Sequence, residues 1–163
     1  MSLAPDRSAV LRLRATVDRE LRSLARCEAR VANIVPRLGA EHDEVVLAAA
    51  GKWLADTYTA IERILRSVAI TFEGLPAGPD WHRELVSAAA AEVSGVRPAT
   101  IDSETARLLS DYLGFRHVFR SLYAEDLRRE RVLDLAERLP ATLAAFQKDV
   151  AQFRMFLDRL VKA

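Results

Sequence analysis

Most of the six glycines and six prolines in this chain cluster at four places: Pro36–Gly39, Gly74–Pro79, Gly95–Pro98 and Pro140. Such residues end regular elements, so the runs between them set the element lengths. Those runs are long, and their apolar residues recur at helical spacing with no strand-like alternation. Val10, Leu13, Val17, Leu21, Leu24 and Val31 mark a first helix, from a cap at Asp6 to about Val35, where Pro36 stops it. Leu54, Tyr58, Ile61, Leu65, Val68 and Phe72 repeat at four-then-three spacing over a second helix, from about His42 to a stop at Gly74. Asp80 caps a shorter third helix, Trp81 to about Val93, and Ser103 opens a fourth. A fifth, broken near Pro140, carries Leu143, Phe146, Val150, Phe153, Phe156, Leu157 and Leu160. The pattern predicts an all-α fold: an antiparallel helical bundle of four to five helices, in a single domain over residues 1–163.

Composition narrows what such a bundle does. Half of the residues are hydrophobic and 29% are charged, with a net charge of +1, which is the balance of a soluble globular protein. So small a charge gives no general attraction to nucleic acid or anionic lipid, and any RNA-binding surface has to be a local patch. No apolar run approaches the ~20 residues of a membrane span, and the opening MSLAPDR lacks a cationic stretch followed by an apolar one. The single cysteine, Cys27, makes no intramolecular disulfide and no zinc pattern. A cytoplasmic protein with no membrane association is the expectation.

Polar chemistry concentrates in FRHVFRSLY, Phe115 to Tyr123. On a helix, Leu108, Tyr112, Phe115, Phe119 and Leu122 form a bundle-facing seam. Beside it runs a stripe of Leu109, Leu113, Arg116, Arg120 and Tyr123, apolar at first and cationic halfway. Guanidinium forks match phosphate oxygens, so Arg116 and Arg120 suit an anion site; they equally suit ion pairs with acids on neighbouring helices. His117 and Ser121, four residues apart, share the opposite flank. Ser121 has neither an elbow motif nor a relay acid, which speaks against a serine hydrolase. On the second helix Glu62 lies beside the seam, where Arg116 or Arg97 are possible partners, and His82 falls on the first turn of the third helix. The three histidines lack paired carboxylates, so no metal site is expected, and there is no Walker loop or dinucleotide fingerprint.

Taken together, Tyr58-Thr-Ala-Ile61-Glu62-Arg63-Ile64, Leu75-Pro76-x-Gly78-x-x-Trp81-His82, Arg97-Pro98 and Tyr112-Leu-x-Phe115-Arg116-His117-Val-Phe119-Arg120 resemble the HepT-like branch of the HEPN helical-bundle proteins, from about Leu47 to Leu160. The resemblance implies a homodimer with a cleft between its fourth helices, and metal-independent, cofactor-free RNA cleavage used as a toxin. It also implies a minimal nucleotidyltransferase as antitoxin partner, able to place AMP on the motif tyrosine. The family motif is an arginine, four residues, a histidine, one residue and a tyrosine. Carried over, the arginine is Arg116, the polar residue after it is His117, and the tyrosine is Tyr123. The motif histidine falls on Ser121.

That substitution has a physical cost. Cleavage by the RNA 2′-hydroxyl needs a proton acceptor and a donor, which histidine supplies near neutral pH and serine does not. Losing such a group costs about 10²–10⁴-fold in rate. On a regular helix positions 116 and 121 also point about 140° apart. The expectations are therefore a weakened ribonuclease toxin or, alternatively, a non-catalytic partner of a nucleotidyltransferase.

Overall fold

The computed structural model describes residues 5–40, 42–121 and 126–162. Five helices follow one another: α1 (Arg7–Ala40), α2 (Glu44–Phe72), α3 (Trp81–Ala89), α4 (Ser103–Phe119) and α5 (Arg129–Lys162). No strand occurs among the described residues, and the all-α bundle is the fold.

Helix boundaries follow local chemistry. Asp6 caps α1 through its side chain, which accepts the Ala9 N–H at 2.6 Å. Asp43 does the same for α2 and Asp102 for α4, where the Thr105 N–H donates at 2.7 Å and holds the Asp102 carboxyl below its usual range. Gly74, at φ +87°, stops α2, and its N–H returns to the Ala69 carbonyl at 2.7 Å. Asp80 departs from the expected cap: its carbonyl, not its side chain, accepts from Arg83 and Glu84. α3 also ends earlier than its pattern indicated, at Ala89.

The two predicted proline breaks are absent. α1 continues through Pro36 to Ala40, and α5 runs unbroken through Pro140. A proline removes one helical donor, yet Ile34 and Leu38, and likewise Leu139 and Leu143, are buried on either side of it. Burial of these continuous apolar faces outweighs the lost bond.

α1 packs along α2 and α5, and α4 sits against α2, α3 and α5. The core is one cluster running from Val10 to Leu157, centred on Leu54, Tyr58, Ile61 and Leu65 of α2, with Phe115 of α4 inside it and Phe119 at its edge. The phase of α4 differs from the expected one. Leu109, not Leu108, is fully buried, so the seam reads Thr105, Leu109, Tyr112, Phe115. Tyr112 fixes this phase by donating its hydroxyl to the Leu135 carbonyl of α5 at 2.8 Å. Phe119 stacks on Phe115 and lies over Gly51 of α2, where a Cβ would come within 2.9 Å of its ring.

The connection from α3 to α4 has little regular structure and is held by Arg97, which is almost wholly buried. Arg97 bonds the Glu73 carboxylate through two nitrogens, and the carbonyls of Ala88 at 3.0 Å, Ala91 at 2.9 Å and Pro98 at 3.1 Å. All five guanidinium N–H groups are thereby used. Arg97→Ala removes all of these bonds and strips Glu73 of its buried guanidinium partner, and is expected to lower unfolding stability by about 3 kcal/mol in urea titration.

Candidate functional site: a basic cleft built on Glu62

Glu62 projects from the α2 face next to the seam, and its side chain is only 6% exposed. A carboxylate so placed needs partners. Its Oε2 accepts two hydrogen bonds, from Arg116 Nη1 of α4 at 2.7 Å and from His82 Nδ1 of α3 at 2.7 Å. An ionised carboxylate only accepts, so His82 Nδ1 carries a proton and donates it to this bond.

Aromatic contacts set both groups. The His82 ring stacks on Trp81 at 3.5 Å between centroids, and the Arg66 guanidinium lies 5.0 Å above the Trp81 ring. The Arg116 guanidinium lies 5.7 Å above the Tyr58 ring. Burial, reinforced by the nearby Glu62 charge and opposed by Arg116, pushes the Tyr58 phenol well above its ordinary value, so it stays neutral under the Arg116–Glu62 pair.

Above this pair opens a cleft of about 340 Å³ between the start of α3 and the second half of α4. His82 and Arg83 line it from α3, Arg116 and His117 from α4, and Arg120 from the α4 C-cap; Asp80 is the acid among the lining residues. Arg83 and Arg120 form no ion pair among the described residues. Arg116 is the fixed cation, since one nitrogen is spent on Glu62. The arrangement concentrates positive charge on a protein whose net charge is +1, which is the local patch an anion requires.

The structure separates the expected site residues into groups. Arg116 and Arg120 share the cleft, and of the two only Arg116 takes the ion-pair alternative. His117 was expected on the opposite flank but lines the same cleft, because neighbouring helical residues diverge by only about 100° and the cleft spans that arc. Ser121 lies beyond the end of α4, exposed and outside the cleft lining, with its hydroxyl donating to the Val118 carbonyl at 2.9 Å. Arg97 is not at the cleft; its carboxylate partner is Glu73, not Glu62. Tyr123 and Leu122 lie outside the described residues. Arg83 was not anticipated as a site residue, and its only signal was adjacency to His82.

Fold and cleft together define a helical-bundle protein with an anion-suited site carried by its fourth helix. A family described as HepT-like protein matches residues 49–157, from the start of α2 to near the end of α5. The chain belongs to this HepT-like family, within the HEPN superfamily. No curated protein and no solved structure matches it.

Because buried Glu62 and half-buried Arg116 are in direct contact, their substitutions are expected to be non-additive. Glu62→Ala and Arg116→Ala, alone and combined, should give a coupling of about 1–3 kcal/mol in chemical denaturation. A coupling near zero would show that the pair does not hold α4 to α2.

Proposed function

We propose that this protein is a HEPN-type toxin component that binds RNA at the cleft beside Arg116 and cleaves it weakly. The observation that carries this reading is the pairing of a preorganised arginine, Arg116 on Glu62, with Arg120, which forms no ion pair among the described residues, in one cleft of a HepT-like chain. Fixed guanidinium donors stabilise the charge that develops on phosphate oxygens during transfer. The weakness follows from Ser121. Its hydroxyl is engaged with the α4 backbone, and it has no proton to exchange near neutral pH. The remaining imidazole on α4 is His117, which lines the cleft and is exposed.

In this proposal the protein is a homodimer whose fourth helices face one another, paired with a minimal nucleotidyltransferase that places AMP on Tyr123. The placement of Ser121 off the cleft favours a second reading, in which the chain is a non-catalytic binding partner of that enzyme.

Expression in a bacterial host, with cleavage of labelled RNA in EDTA, separates the two. Under the first reading the unmodified chain cleaves slowly, and Ser121→His raises the rate by at least about 100-fold. Brisk cleavage that His117→Ala abolishes would assign the proton transfer to His117 and end the weakened-site idea. No gain and no toxicity from Ser121→His would leave the binding-partner reading. Light scattering at tens of micromolar is expected to give the dimer mass. Incubation with the cognate nucleotidyltransferase, ATP and magnesium should add AMP to the wild type but not to Tyr123→Phe.

A further inference from the structure

Gly114 sits inside α4, a helix whose other interior positions all carry side chains. Glycine in a helix interior is disfavoured against alanine, so a position that keeps one usually has a steric reason. At Gly51 the reason is visible, because Phe119 fills the space a Cβ would need. At Gly114 a Cβ would meet nothing within 4 Å. The residue is exposed, and the open space next to it is the cleft itself, whose wall it forms. Packing gives no account of this glycine; access to the cleft does.

On one side of the opening stands Arg83 of α3, on the other Arg120 at the C-cap of α4, neither in an ion pair among the described residues. Arg116 lies between α3 and α4 with its remaining nitrogens unclaimed by any described residue. Asp80 is the one acid in the lining, and Glu62 offsets Arg116 from beneath, so Arg83 and Arg120 supply the excess positive charge. A volume of about 340 Å³ is at the small end of ligand sites, enough for one phosphorylated nucleoside unit and too small for a duplex.

The geometry points to the α3–α4 cleft as a phosphoryl-binding pocket within one protomer, which grips the phosphate of a single nucleotide between Arg83, Arg116 and Arg120, with Gly114 keeping it open. The phosphoryl group is presented either by a single RNA strand or by a free mononucleotide. For the RNA source the inference rests on the function proposed above, and it adds Arg83 of α3 to the phosphate contacts that reading gave to Arg116 and Arg120. Arg83 is then a footprint residue: it touches phosphate and not the reacting proton.

The test uses the full chain with Trp53→Phe, which leaves Trp81, stacked on His82, as the reporter of the cleft wall. Its emission is followed during titration with inorganic phosphate, AMP and a short single-stranded RNA, and the RNA is also followed by fluorescence anisotropy. Saturable binding is expected. Arg83→Gln and Arg120→Gln should each weaken it by about fivefold, as loss of a charge-assisted contact does, whereas Arg107→Gln on the exposed Glu104 pair should not. Gly114→Leu should abolish binding by filling the pocket. Gly114→Ala should bind at least partly and melt roughly 2 °C higher. Circular dichroism melting checks that the leucine variant folds.

RNA binding that Arg120→Gln weakens but Arg83→Gln and folded Gly114→Leu leave intact overturns this pocket while sparing the RNA reading. Binding of AMP or phosphate, lost in Gly114→Leu, together with no RNA binding, keeps the pocket and removes the RNA reading. No binding by any probe overturns the pocket.

Discussion

One carboxylate oxygen holds the working end of this molecule together. Glu62 Oε2 receives a guanidinium from α4 and an imidazole from α3, so three helices meet at a single acceptor. In a buried setting such bonds are strong because little water competes, and for the same reason they are intolerant of a missing member. The cleft is a consequence of this junction. Remove the oxygen, and nothing polar among the described contacts fixes the first turn of α3 relative to the second half of α4.

The pair also shapes the electrostatics. Arg116 is largely neutralised by Glu62 beneath it, so its contribution is a fixed direction more than a net charge. Arg83 and Arg120, in no ion pair among the described residues, supply the net positive charge of the cleft. A donor held in place between two exposed cations is an arrangement suited to an anionic ligand.

Much of the fold could be read from the sequence because helix seams repeat along the chain and a repeating signal survives local error. The second helix is the plain case: Leu54, Tyr58, Ile61 and Leu65 are buried as their spacing requires. Pro36 and Pro140 misled because local preference was weighed without the flanking burial of Leu38 and Leu143, which only the packed bundle supplies. α4 was out of phase because it touches α2, α3 and α5, so its apolar residues do not form one stripe. The site was less legible. Glu62 and Arg116 are 54 residues apart, and their pairing was one of several open combinations until α3 and α4 were placed. Arg83 had no motif to announce it, and Arg97, expected as a partner of Glu62, is held by Glu73 instead.

The ring of Phe119 rests in a notch that exists only because position 51 has no side chain. Phe119 ends α4 and is followed at once by Arg120, so the depth of the notch sets how far the cationic rim stands from the body of α2. A methyl group at 51 has to displace the ring, and the residue that carries the ring is the neighbour of the arginine. Volume at a buried, uncharged position thus tunes the field at the cleft mouth. A lineage could weaken or strengthen its grip on an anion by adding or removing a methyl group, leaving every charged residue in place.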